Sequence, residues 1–146
     1  MKISYFLQFI LICLLWLSCA EAENVTLLSE KMELEGTFQR ISGDEAGPVA
    51  EVTILLRSGK WEGNSSRSKY PALCKGSYLV SENTISFENE CMWTADFDWT
   101  LILNGTYTIL QTKTHMIWEK KTGDNNQFLD RYTFLIEDRE KLVQSK

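Results

Sequence analysis

The chain of 146 residues has one histidine, His115. A His-dependent nucleophile, a histidine general base and a histidine-rich metal site would all have to pass through that side chain, and no serine or aspartate pattern flanks it. It sits in an alternating run, where a solvent-facing strand position is the expected role. No glycine-rich phosphate loop, H-E-x-x-H or G-x-S-x-G occurs, and no acidic loop has EF-hand spacing. Basic residues form no stripe with interleaved aromatics. With a formal net charge of -5, the chain repels nucleic acid and anionic lipid headgroups. Beyond the first segment no apolar run is long enough to span a bilayer. A long helical pattern and an internal repeat are also missing. The expectation is a non-enzymatic protein with no metal or cofactor, and a length that suits a single domain.

What is present begins with a leader. Residues 1–22, "MKISYFLQFILICLLWLSCAEA", place one cation, Lys2, before an apolar run and end in small residues. That is the pattern of a secretory signal peptide. Two cleavage sites compete. Ala20-Glu21-Ala22 is an A-x-A site. Leu17-Ser18-Cys19 resembles the end of a bacterial lipobox, whose cysteine is acylated and becomes the first residue. Lipidation at Cys19 is the favoured expectation, and it would hold the domain at a membrane without spanning it. The expected location is the bacterial cell envelope, or the secreted space if the A-x-A site is used. Residues 23–33 form a polar leader, 34–138 the folded domain and 139–146 a charged tail.

Only four cysteines are present. Cys13 lies within the signal, and Cys19 is removed or lipidated. Cys74 and Cys91 remain as the free thiols of an exported chain, so a disulfide between them is expected. The stretch between them supports it. Written as a hairpin turning at Glu82-Asn83, Val80 faces Ile85, Tyr78 faces Phe87, Gly76 faces Asn89, and Cys74 faces Cys91. Alternation puts all eight on one side of the ribbon, with Leu79 an apolar exception on the other. The spacing lacks the C-x-x-C of a redox motif, which makes the bridge a stability device.

Other runs follow the same grammar. "LEGTFQRI" (34–41) opens the domain. "VAEVTILLRSGKWEG" (49–63) puts Val52, Ile54 and Leu56 on one face and reaches Trp61 past a Ser58-Gly59 turn. "NSSRSK" (64–69) reads as a loop. In "DWTLILNGTYTIL" (98–110), Asn104-Gly105 is a hairpin signal, but Trp99, Leu101, Leu103, Tyr107 and Ile109 keep one parity across it. One strand bending at Gly105 is expected, with the next turn near Thr112-Lys113. "THMIWEKK" and "DRYTFLIED" close the domain. Some eight short antiparallel strands with one apolar face make an all-β fold, a single up-and-down barrel or strongly curled sheet, with a sandwich as the alternative.

Asp96 and Asp98, read on a strand, share one face and are expected at a solvated surface or turn cap, with Phe97 pointing the other way toward the core. Among the aromatics, core packing competes with the lining of a ligand pocket. The pocket candidates are Trp93, Trp99, Trp61, Tyr78, Phe87 and Trp118, with Trp93 foremost because it follows the disulfide near a strand end. Three N-x-[ST] sequons, at Asn24, Asn64 and Asn104, are glycan acceptors only in a eukaryotic source.

"LEGTF", "YPALCKGSY", "CMWTADFDWTLILNG" and "RYTFLI" resemble a group of small exported bacterial lipocalin-like proteins, over roughly residues 34–136. The resemblance implies a barrel with a possible ligand cavity and carries no catalytic residues. Two functions follow as expectations. One is a lipid-anchored barrel that binds a small apolar or amphipathic ligand. The other is an envelope interaction protein, an inhibitor or accessory subunit, whose core is filled and whose loops make the contacts.

Overall fold

Period-two alternation turns one face of every strand toward a common interior, and a single sheet with one apolar face hides it by curling shut. The computed structural model describes residues 31–94 and 96–136. They form β1 (Met32–Ser42), β2 (Glu45–Arg57), β3 (Lys60–Ser65), β4 (Lys75–Ser81), β5 (Thr84–Asn89), β6 (Gly105–Gln111), β7 (His115–Thr122) and β8 (Phe128–Leu135). All neighbours are antiparallel and the barrel closes in sequence order, with β8 pairing both β7 and β1. The all-β, up-and-down barrel expected from the runs is the fold. The signal segment 1–22, Cys19, Asn24 and the tail 139–146 lie outside the described residues.

The interior follows the alternation. Val52, Ile54 and Leu56 are buried on β2 and Trp61 on β3, across the Ser58-Gly59 turn. The β4–β5 hairpin pairs Gly76 with Asn89, Tyr78 with Phe87 and Val80 with Ile85, and Cys74 and Cys91 are joined by a disulfide. Leu79 faces out, as the register requires. Gly76 is obligatory here. A Cβ on it would collide with the Glu88 carbonyl oxygen and lie 2.8 Å from Trp61 Nε1, so the indole occupies the space a side chain would fill. β2 carries a bulge, where Gly47 and Pro48 together oppose Arg40. A bulge is a place where a strand tolerates proline, which has no N–H to give the ladder.

One expected strand is only half present: of the run 98–110, β6 keeps the part from Gly105 onward. Trp99–Leu101 is a short 3-10 turn, Ile102 makes an isolated parallel bridge to Ala72, and β6 starts only at Gly105. Asp98 caps the turn by accepting from the Thr100 amide. Gly105, at φ +83°, then redirects the chain into the barrel wall. The alternation misled because Leu103 is still buried and Leu101 still packs against the core, while Trp99 does not. Asp96 and Asp98 accordingly lie in this connection and not on a strand. Phe97 packs between Trp93 and Trp99 outside the core cluster.

The two ends of the barrel differ. Three turns, at Ser58-Gly59, Glu82-Asn83 and residues 112–114, form the hairpin end, where Met32 and Ile136 also lie. The other four connections, residues 43–44, 66–74, 90–104 and 123–127, form the loop end.

Candidate functional site

Arg40 and Asp130 continue the inward parity of Phe38 on β1 and of Tyr132 and Phe134 on β8. They are also direct cross-strand partners. Both are buried, Arg40 at 8% and Asp130 at 2% exposure. A lone charge there would be costly. Instead Arg40 Nε donates to Asp130 Oδ1 at 2.6 Å and Nη2 to Oδ2 at 2.8 Å, a two-pronged fork. Burial alone would lower the guanidinium pKa; the bonds and charge of Asp130, then Asp98, outweigh it and raise it. Burial pushes the Asp130 carboxyl up, against the pull of Arg40.

The rest of the guanidinium reaches the β5–β6 connection. Nη1 donates to Asp98 Oδ2 (2.8 Å) and Thr100 Oγ1 (3.0 Å), and Nη2 to the Thr100 carbonyl (3.1 Å). Nη2 also reaches Thr122 Oγ1 at 3.4 Å. The Tyr70 hydroxyl accepts from the Arg40 amide, and the guanidinium lies 4.8 Å from the Phe128 ring centroid. Arg40 thus ties β1 to the connections 66–74 and 90–104 and to the two residues, Thr122 and Phe128, that flank the connection 123–127. Burial would raise the Asp98 carboxyl, but the hydroxyl and amide of Thr100, with Arg40, hold it below the ordinary value.

Residues 90–104 are fixed at both ends. At the start stand the Cys74–Cys91 disulfide and Asn89, whose Nδ2 donates to the Cys91 carbonyl. At the finish stand Arg40 and the Ala72–Ile102 bridge. Between them the loop holds out its aromatics. Trp93 and Phe97 centroids are 5.4 Å apart, and Phe97 stacks on Trp99 at 6.3 Å with planes 20° apart. Met92 is 100% and Trp99 56% exposed. Large apolar side chains are thus held out on a loop tethered at both ends.

The six pocket candidates divide. Trp61, Tyr78, Phe87 and Trp118 are interior and mutually packed. Phe87 stands 5.7 Å from Trp61, 6.4 Å from Tyr78, 5.9 Å from Tyr107 and 5.2 Å from Trp118. Phe38, Tyr132 and Phe134 continue this chain of rings. Trp93 and Trp99 belong to the loop, with Trp93 Nε1 donating to Asn89 Oδ1. Two interior polar atoms, Tyr78 Oη and Trp118 Nε1, are buried without a partner among the described residues. His115 opens β7, where its Nδ1 meets Thr114 Oγ1 at 2.8 Å. Asn64 is exposed on β3, and Asn104 accepts the Asn89 amide through Oδ1.

Arg40 and Asp130 escaped the sequence reading. Their signal was present: each is a charge at an inward parity position, in "LEGTFQRI" and in "DRYTFLIED". No family model matches the chain, and no curated protein or solved structure compared with it is similar to it.

Proposed function

We propose that this protein is an exported interaction module: a barrel with a filled core that docks a partner protein through its β5–β6 loop. The observation that carries the reading is the pairing of an interior crossed by touching rings with a loop that exposes Met92 and Trp99. Aromatic residues and methionine are enriched at interface centres. The signal at residues 1–22 and lipidation at Cys19 belong to the same proposal, as does the kinship with exported lipocalin-like proteins. The disulfide fits an oxidising compartment. Met32 enters the barrel at the hairpin end, so an N-terminal anchor would leave the loop end facing away from the membrane.

A second reading, a small amphipathic guest in the barrel, is favoured by Tyr78 Oη and Trp118 Nε1. Two unpaired buried polar atoms call for a water or a guest's polar group. Native mass spectrometry of protein purified from its own host tests both. A co-purifying protein that is lost in Trp99→Ala supports docking. A bound small mass that survives Trp99→Ala supports the guest and defeats docking. Anchoring has its own test: a Cys19→Ala variant that still sediments with membranes removes lipidation.

A further inference from the structure

Three methionines lie among the described residues, and they are placed differently. Met32 and Met116 are half-buried and pack against the core. Met92 is 100% exposed. It is held there from both sides. Asn89 Nδ2 donates to the Cys91 carbonyl at 2.7 Å, and Trp93 Nε1 donates to Asn89 Oδ1 at 3.2 Å. One asparagine at the end of β5 therefore pins the residue before Met92 and the residue after it, while the disulfide fixes Cys91 to Cys74. With both neighbours held, Met92 keeps its thioether in water.

Peroxides oxidise accessible sulfur first. The two cysteines among the described residues are tied up in the disulfide, so no thiol there competes. A fully exposed side chain also contributes no buried surface, so an added oxygen costs the fold nothing. What the oxygen changes is the docking face, where a polar, chiral sulfoxide replaces an adaptable apolar group.

Resting on the docking reading above, we propose that Met92 is an oxidation site that regulates it: a peroxide converts the thioether to the sulfoxide and switches docking off. One peroxide and one thioether give one sulfoxide and one water; sulfur is oxidised and the peroxide oxygen reduced. A methionine sulfoxide reductase reverses the step, two thiols becoming a disulfide as the oxygen leaves as water.

The probe is hydrogen peroxide, added to the full chain and followed by peptide mass mapping. Met92 gains its oxygen at least about 10-fold faster than Met32 or Met116. The protein oxidised at Met92 keeps the parent's urea midpoint. Capture of the host protein that co-purifies with the parent, read by native mass spectrometry, falls roughly 5-fold or more on that oxidation. Met92→Leu captures it equally with and without peroxide, and Met92→Gln, with a polar group of similar length, captures as weakly as the oxidised parent. Oxidation spread evenly over the three methionines overturns the proposal. So does a midpoint that falls with Met92 oxidation, which makes the effect damage, or the same peroxide loss in Met92→Leu. Capture that survives oxidation of Met92 removes the regulation and leaves docking standing. A parent that captures no host protein removes docking itself, and the switch with it.

Discussion

Substituting methionine for Arg40 tests whether one side chain organises the loop end. The exchange keeps a long, flexible chain in place and deletes the charge. Asp130, 2% exposed, then keeps its carboxylate and loses both fork bonds. Lys120 is its cross-strand neighbour on β7, but that ammonium donates to the Asn104 carbonyl. Removing one partner of a buried ion pair costs about 3–5 kcal/mol. A domain of this size holds roughly 5–15 kcal/mol in all, so this single change removes about a fifth of it or more. With a urea slope of roughly 1–1.5 kcal/mol/M, the unfolding midpoint falls by about 2–5 M. The double variant Arg40→Met/Asp130→Leu removes both charges and regains most of the loss, because an apolar replacement of a buried pair is neutral or favourable. It does not restore the loop, since Asp98 and the Thr100 carbonyl still lack their donors. Urea titration followed by far-UV circular dichroism measures the first effect, and the indole NMR signal of Trp99 measures the second. A single variant that loses less than about 1 kcal/mol, or a double variant no more stable than the single, would refute the reasoning.

Acid should release the loop before the barrel. A carboxyl held low, as Asp98 is, contributes stability above its ordinary value of 3.8, and that contribution fades as pH falls through its folded value. Asp130 has the opposite sign: its raised carboxyl weakens the fold as pH climbs through the carboxylate range, so the acid limb belongs to Asp98. The Trp99 indole signal should therefore shift at low pH in the parent and show no such step in Asp98→Asn. Replacing Cys74 and Cys91 by serine opens a loop with a sequence separation of 17 and should cost about 3 kcal/mol in urea titrations by the chain-entropy relation; no loss would mean that the reduced chain holds the same contacts. Gly76→Ala should lower thermal stability by at least about 2 kcal/mol, since backbone and indole both obstruct the added methyl. Unchanged melting would show that β4 shifts to admit it.

Outside residues 98–104, the sequence alone determined where the strands run, the face each buries and the β4–β5 register down to its cysteines. Alternation is a property of neighbouring residues, and a two-residue turn leaves the partner strand little choice of register. Tertiary structure alone decided three things. Closure brought Arg40 of the first strand beside Asp130 of the last, a pairing fixed by how the whole sheet curls and invisible in either segment. The break between Trp99 and Gly105 depended on a cap and on a guanidinium arriving from β1, so local parity favoured a strand that distant contacts overruled. The aromatics, uniform in a composition count, were divided between the buried core cluster and the β5–β6 loop. Apolar character says that a ring can be buried; only the path of the chain says whether there is an interior at that point to bury it in.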